Sequence, residues 1–259
     1  MIGEDLKSAA AVLEKRRLAL GRPLTLLATA ASTNDEAKLG ARAGAPHGAT
    51  WVAETQTEGR GRQGRGWIAV AGEGLLFSVL LRTECPLGRL PLFALAAGLA
   101  VRQAVARAVP EAEVRVKWPN DVVVGTRKVA GILVEATLAG DRVEGVVVGV
   151  GINVRTRQFP EELRGRATSI ELLGGASRDR GAILVGVLAA LAERIPLVAS
   201  LGLAPIHAEL SKWDALRGER VRGELGEGVA DGIEVDGSLR VRGDDGGVGR
   251  WVAGEVHLV

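Results

Sequence analysis

The sequence predicts an α+β fold: a mixed, largely antiparallel sheet with flanking helices, followed by a small C-terminal β-barrel of SH3-like size. Three observations carry that prediction. Strand-like and helix-like segments follow one another in mixed order, without a regular βαβ alternation. A long β-branched stretch, "VVVGTRKVAGILVEATLAGDRVEGVVVGVGINV", is cut by Gly-Thr and Ala-Gly-Asp, the turn chemistry of consecutive hairpins. From about Lys212 the helical period vanishes, and short valine-containing strands alternate with Gly or Asp-Gly. The expected division is residues 1–211 for the first domain and 212–259 for the barrel.

The elements follow in order. Residues 5–19 have helical composition with a basic end, which suits a helix C-terminus. "PLTLLAT" reads as a short strand. "STNDEAKLGARAG" reads as a helix with a Thr33–Glu36 capping box, ending near Gly44. "ATWVAET" is a strand leading into "EGRGRQGRGW", Glu58 to Trp67. "LLFSVLLR" is an apolar strand buried on both faces. "RLPLFALAAGLAVRQAVARAV" is a long helix rich in Ala and Leu, and "VRVKWP" precedes the hairpins. "RGAILVGVLAALAERIPLVAS" is a further apolar helix, with Pro196 as a point of interruption.

Composition bounds the function. With 259 residues, 47% hydrophobic and 25% charged, the chain is globular and needs no staples to build a core. Its 33 basic and 31 acidic residues leave a net charge of +2. The sequence pI near 9.0 reflects the absence of tyrosine and the single cysteine, not a large positive field for nucleic acid. Cys85 excludes an intramolecular disulfide and fits a reducing compartment; "TECPLG" reads as a turn after a strand, not as the setting of a nucleophile. His47, His207 and His257 lack metal-ligand spacing, so no zinc site is expected. The longest apolar run, Leu90–Val101, lies between Arg89 and Arg102 and is too short for a bilayer span. Glu4 and Asp5 stand where a signal peptide would be basic, so the expected location is the cytoplasm, with no membrane partner.

The glycine–arginine run admits three readings: a solvated surface hairpin, an RNA-binding segment, or a loop that closes on an anion. In the last, glycines let backbone N–H groups approach phosphate oxygens, and guanidinium groups neutralise them. Trp67 would cover a flat ring or anchor the loop. "STN" at a helix start offers hydroxyls, an amide and free N–H donors for a polar head group or a carboxylate. "KWPNDVVVGTRKVAGILVE" gathers Lys117, Asn120, Asp121 and Lys128 around a hairpin, where Lys128 is either a rim residue or a placed cation.

Taken together, "STN", "ETQTEGRGRQGRGW", "KWPND", "RKVAGILVE" and "GVGIN" resemble the biotin protein ligases in order and spacing, over about residues 24–154. The resemblance implies a class II synthetase-like biotin/lipoate ligase domain with a C-terminal SH3-like barrel. Such enzymes join biotin to ATP, release pyrophosphate, and pass biotin from biotinyl-5′-AMP to a lysine of a biotin carboxyl carrier domain. By similarity, Ser32, Thr33, Asn34 and Gln56 hold the fused rings of biotin, and Gly59, Arg60, Gly61 and Arg62 enclose its carboxyl and the α-phosphate. Lys128 bonds the carboxyl oxygen. Asn153 and Trp67 contact the nucleotide, while Lys117 and Asn120 lie at its phosphates. Asp121 positions either Mg²⁺ or the incoming amine.

Only about twenty residues precede the first strand, too few for the winged helix-turn-helix of family members that act as repressors, so no specific DNA binding is expected. Lipoate or octanoate ligases and transferases share the broad fold, and a non-catalytic adenylate- or RNA-binding module is the reading from another class. "GRGRQGRGW" and "KWPND" favour biotin, and retention of Lys128 and Asp121 favours catalysis. A monomer and a homodimer are both compatible with the sequence.

Overall fold

The computed structural model describes residues 1–83, 86–139 and 142–259; Cys85 and most of the Ala-Gly-Asp turn lie outside the described residues. Among the described residues, seven strands form one sheet. They are β1 (Leu24–Leu27), β2 (Thr50–Ala53), β3 (Gly74–Leu81), β4 (Val114–Lys117), β5 (Asp121–Val124), β6 (Arg127–Ala139) and β7 (Arg142–Asn153), in the order β1-β2-β3-β7-β6-β5-β4. β1 and β2 run parallel, joined through helix α2 (Thr33–Arg42), and all other neighbours are antiparallel. The hairpin chemistry of the sequence is realised as β5, β6 and β7.

β3 is buried along its whole length, as its continuous apolar run predicts. Period-two alternation splits its side chains. Leu75, Phe77, Val79 and Leu81 enter the main core, against helices α1 (Glu4–Arg16), α3 (Leu90–Ala108) and α4 (Arg180–Leu201). Leu80 points to the other face, where α2 packs with Trp51 and Val147. Gly40 permits that packing, since a Cβ there would stand 2.1 Å from the Trp51 ring.

Three expectations need correction. The Thr33–Glu36 capping box does not form: Ser32 is the N-cap, and no side chain caps the helix. Thr33 and Asn34 turn inward instead, because buried Ser78 on β3 and half-buried Glu135 on β6 claim them. Pro196 does not interrupt α4, which runs unbroken for 22 residues. Ile195 and Val198 are buried on either side of the proline, and this packing outweighs the lost backbone bond. Nor does length exclude a membrane span. Leu87–Ala108 and Arg180–Leu201 each run 22 residues with mean hydropathy of 1.3 and 2.0, enough for a crossing by length and composition. More than half of each is buried against the rest of the fold, and core packing accounts for that apolar character.

After helix α5 (His207–Lys212) come β8 (Arg220–Gly223), β9 (Gly226–Ile233), β10 (Leu239–Arg242), β11 (Val248–Trp251) and β12 (His257–Leu258). They form a second, antiparallel sheet in the order β11-β10-β9-β8-β12. It is stitched to the β4 edge of the first. The Val116 N–H donates to the Trp213 carbonyl and the Ala215 N–H to the Val116 carbonyl, both at 2.8 Å. The Trp118 indole donates to the Gly237 carbonyl at 2.9 Å.

At the opposite end of the first sheet, one buried guanidinium ties four elements together. Arg180, at the start of α4, is only 1% exposed. It donates to Asp5 of α1 at 2.9 and 3.0 Å, and to Glu54 beyond β2 at 2.6 and 3.0 Å. It also reaches the Gly74 carbonyl of β3. Burial alone would raise the Asp5 pKa, but the Arg180 bonds and charge, with Arg155, outweigh burial and bring it from 3.8 to about 2.

Removing Arg180 strands the buried Glu54 carboxylate and leaves Asp5 with Arg155 alone. Arg180→Met should therefore lower unfolding free energy by roughly 3–5 kcal/mol, read from urea denaturation. A depressed carboxylate stabilises above its unfolded pKa and loses that contribution as pH falls. The Asp5 share, about 2 kcal/mol, should accordingly disappear between pH 3.8 and about 2, and Asp5→Asn should flatten that part of the acid profile.

Candidate active site

The sheet face opposite α1, α3 and α4 is stripped of side chains at its centre. Cross-strand pairing aligns Leu76, Gly151, Gly131, Asp121 and Lys117 in one row over β3, β7, β6, β5 and β4. The neighbouring row holds Ser78, Gly149 and Leu133. Glycine in a strand marks close approach by another group, and that group is present. A Cβ on Gly151 would stand 2.4 Å from Trp67 Cε2, one on Gly131 2.9 Å from Trp67 Cζ3, and one on Gly149 2.1 Å from Asn34 Oδ1.

Trp67 reaches this floor from the glycine–arginine loop, which folds back on itself as a small hairpin. Arg60 bridges to Gly66, the Trp67 N–H donates to the Gly59 carbonyl at 2.8 Å, and the Gly61 N–H donates to the Arg65 carbonyl at 2.6 Å. Gly59 must lack a side chain, because a Cβ would meet the Trp67 carbonyl oxygen at 2.4 Å. The indole covers the glycine floor, with its Nε1 buried and unpartnered. The Lys128 ammonium stands 5.3 Å from its ring centroid.

A β-bulge decides where Lys128 points. Val122 pairs with Ala130 but Val123 pairs with Lys128, so Val129 is an extra residue. Val129, Ala130 and Ile132 all enter the core facing the helices. Without the bulge Lys128 would share their face; with it, the ammonium turns onto the glycine face beside Gly131. There it lies 2.7 Å from Asp121 Oδ1. This is a contact of charges without hydrogen-bond alignment, since that buried oxygen has no aligned donor.

Arg60 and Arg62 are likewise occupied. Arg60 pairs with Asp35 at 2.5 Å, and Lys38 shares that carboxylate at 3.2 Å. Arg62 donates to Asn120 Oδ1 at 3.3 Å and to the Gly254 carbonyl at 3.4 Å. Burial pushes the Lys117 ammonium below its usual range, against the pull of Asp121. Arg65 pairs with Glu255 at 2.5 Å, so the loop touches the second sheet twice.

At the α2 end, Ser32, Thr33, Asn34 and Gln56 meet. All but Gln56 are nearly fully buried. Gln56 Oε1 accepts from the Thr33 N–H at 2.7 Å, and the Thr33 and Asn34 side chains contact Ser78 Oγ at 2.7 and 2.6 Å. Asn153 closes a third side, its amide donating to the Thr168 carbonyl at 3.0 Å. The structure thus brings the predicted residues to one sheet face, except that the Arg60 guanidinium is drawn outward onto α2. Sequence reasoning gave no role to Ser78, Asp35, Glu135 or Glu255. Ser78 was visible as the single hydroxyl in an apolar strand, and Gly149 and Gly151 as alternate glycines among valines. Asp35 and Glu255 carried no signal beyond charge.

A cavity of about 160 Å³ opens beside the site, with Arg62 and Asn120 on its polar side and Trp118, Gly237 and Val252 among its apolar walls. Ligand pockets run to about 300–1,000 Å³, so a nucleotide needs the loop to move. Arg62 is the loop residue on the cavity wall, and Trp67 anchors the same loop on the glycine floor. Gly151→Ala should displace the indole, giving red-shifted tryptophan emission and faster tryptic cleavage at Arg60, Arg62 and Arg65. Because the chain has five tryptophans, the spectrum is compared with that of Trp67→Phe. Unchanged emission and cleavage would show that Trp67 does not rest on the floor.

Comparison with known proteins agrees with this geometry. Residues 28–153 match the model of the biotin/lipoate A/B protein ligase family. The chain is 33% identical over 233 residues to the bifunctional ligase/repressor BirA of Bacillus spizizenii, covering 88% of this chain and 71% of that one. It is 40% identical over 227 residues to the biotin–[acetyl-CoA-carboxylase] ligase of Mycobacterium tuberculosis, covering 84% and 82%. Among solved structures, the biotin protein ligase of Aquifex aeolicus in complex with biotin and ATP superposes with a TM-score of 0.76 at 30% identity, covering 92% of this chain and 99% of that one. With its glycine-floored face, its bulged lysine and these relatives, the chain belongs to the biotin protein ligases of the biotin/lipoate A/B protein ligase family.

Proposed function

We propose that this chain activates biotin with ATP to biotinyl-5′-AMP, releasing pyrophosphate, and transfers biotin to a lysine of a biotin carboxyl carrier protein. The observation that carries this reading is the bulge that sets Lys128 beside Asp121 on the glycine floor. A carboxylate attacking an α-phosphate faces like charge, so the site must supply fixed cations and hold both partners in line. Ser32, Thr33, Asn34 and Gln56 take the ring head group. Gly59 and Gly61 bring backbone N–H groups to the carboxylate and phosphate, while Arg60 and Arg62 exchange their present partners for those anions. Asn153 and Trp67 face the nucleotide, and Lys117 and Asn120 its phosphates.

In the first step a biotin carboxylate oxygen bonds to the α-phosphorus and the bond to pyrophosphate breaks. In the second, a lysine amine attacks the biotinyl carbonyl, an amide forms, AMP leaves, and the amine gives up its proton. Lys128 serves both steps, because charge develops on the same carboxyl oxygen region in each. Asp121 is the carboxylate on this face that would hold a Mg²⁺ ion brought in with the nucleotide. Among the described residues no cluster of three His, Cys, Asp or Glu competes for that role. When bound, the ion would supply neutralisation of charge on the departing pyrophosphate. The same carboxylate is equally suited to orient the incoming amine.

We divide the chain at Lys212, where α5 ends. Residues 1–211 carry the catalytic face, and 212–259, the second sheet, supply Gly254 and Glu255 to the loop.

Pyrophosphate release that requires both biotin and ATP is the direct test, and release that ignores biotin would refute the assignment. Lys128→Ala should slow adenylation and transfer each by roughly 10²–10³-fold, the worth of one fixed charge donor, in single-turnover assays with biotinyl-AMP supplied for the second step. Lys128→Arg should recover only part, since a planar fork cannot occupy a point-charge position. Near-normal rates in both steps would remove Lys128 from the mechanism.

The Arg65–Glu255 pair is partly exposed, 54% and 33%, so it is worth about 0.2–1 kcal/mol. Glu255→Gln should therefore speed escape of the adenylate from the enzyme by up to about fivefold, while lowering stability by no more than about 1 kcal/mol. Escape measured by filtration that matches the wild type would show that the pair does not hold the loop.

A further inference from the structure

Glu135 ends the segment "VAGILVE" and lies half-buried on β6, two residues beyond Leu133. Its carboxylate accepts from Asn34 Nδ2 at 2.6 Å and from the Lys38 ammonium at 2.8 Å. The Leu133 carbonyl lies 3.4 Å from the same Asn34 nitrogen. Both neighbours of that nitrogen only accept, so the Asn34 amide cannot be turned round, and its oxygen faces inward. There Ser78 Oγ stands 2.6 Å away. An amide oxygen only accepts, so the Ser78 proton is committed to it.

The consequence passes to the next hydroxyl. Ser78 Oγ also lies 2.7 Å from Thr33 Oγ1, and with its own proton committed it must accept the Thr33 proton. Gln56 Oε1, 3.0 Å from Thr33 Oγ1, then receives only the Thr33 N–H at 2.7 Å. Two protons serve three oxygen–oxygen contacts, and this assignment leaves the longest of them bare. Any other leaves a contact of 2.6 or 2.7 Å without a proton. Ser78 is fully buried, and Thr33 and Asn34 are 3% exposed, so no water relieves a wrong choice. Gly149 makes room for the relay, since its Cβ would stand 2.1 Å from Asn34 Oδ1.

We propose that Glu135 is a positioning residue that sets the hydrogen-bond polarity of the head-group pocket. Through Asn34 and Ser78 it turns the Thr33 hydroxyl away, so that Oγ1 offers a ligand lone pairs and no proton. Gln56, its oxygen held by the Thr33 N–H, is left to donate through Nε2. The pocket therefore selects a head group carrying an N–H donor next to a carbonyl acceptor, as a cyclic urea does. A dithiolane or a plain alkyl chain offers neither. The ligand class rests on the function proposed above; the proton relay stands on the distances alone.

The test pairs calorimetric titration with neutron diffraction. Biotin is compared with the two cyclic carbamate analogues in which one ring N–H or the other is replaced by oxygen. The wild type should prefer biotin to at least one of them by about 10²-fold or more, because a buried acceptor would lose its donor. Glu135→Ala frees the Asn34 amide and the Thr33 hydroxyl, and should shrink that preference at least about tenfold. KM for ATP at saturating biotin should stay within about twofold. Glu135→Gln should restore the preference, since its amide oxygen still accepts from Asn34. A preference that Glu135→Ala leaves unchanged, or that Glu135→Gln loses as fully, would overturn the proposal. Neutron diffraction of the unliganded wild type reads the relay without any ligand: deuterons should lie from Ser78 toward Asn34 and from Thr33 toward Ser78. Those deuterons in a protein that binds no biotin would sink the proposed function and leave the relay. Deuterons placed the other way sink the relay, whatever the protein binds.

Discussion

The absence of side chains at Gly131, Gly149 and Gly151 is the constraint on which the rest of the site depends. A pleated sheet normally covers both faces with side chains, and a ligand can then approach only at an edge. Three glycines on adjoining strands open the middle of one face while the backbone bonds of the sheet stay intact. That floor is rigid because β7 is paired on both sides from Val146 to Ile152. Trp67 and Asn34 approach it within distances that no larger residue would tolerate. A site on a paired sheet is held more firmly than one built on loops, and here only the cover comes from a loop.

Charge is the second constraint. The face carries partly buried cations, and such cations need partners. Asp121 serves Lys128, Asp35 serves Arg60, and Asn120 with the Gly254 carbonyl serves Arg62. An anion that bound to these proposed partners would exchange one partner for another and not add a new one. Lys117 is the exception. Burial lowers its pKa, so an anion arriving beside it gains more than at a fully paired cation.

Much of this was legible in the sequence. Hairpin punctuation between β-branched runs predicted β5 to β7, and the loss of helical period after Lys212 predicted the second sheet. The candidate residues came from compact motifs, and the fold gathers most of them around one sheet face. What escaped was tertiary. Thr33 and Glu36 have capping-box spacing, yet partners on β3 and β6, far away in sequence, turned Thr33 inward. Pro196 has the local signature of a helix break, yet burial on both sides of it keeps α4 whole. The direction of Lys128 depends on one extra residue in a strand, which alternation cannot reveal because valine, alanine and isoleucine suit either side of a bulge. Asp35 and Glu255 look like ordinary surface acids until the loop folds against them.

The two ends of the sheet are held more firmly than the loop that covers its face. At one end Arg180 gathers α1, α4, the end of β2 and the start of β3 around a dry guanidinium. At the other, the second sheet is bonded to the β4 edge through backbone groups at Val116 and through the Trp118 indole. Both attachments are buried, so breaking either leaves unpaired polar groups and costs far more than an exposed ion pair. The glycine–arginine loop, by contrast, is held to the second sheet by one partly exposed pair and one long carbonyl bond. Stability is therefore graded along the molecule, strong at the anchors and weak at the cover. A ligand that replaces the weak contacts can open and reclose the cover while the floor, fixed from both ends, keeps its geometry.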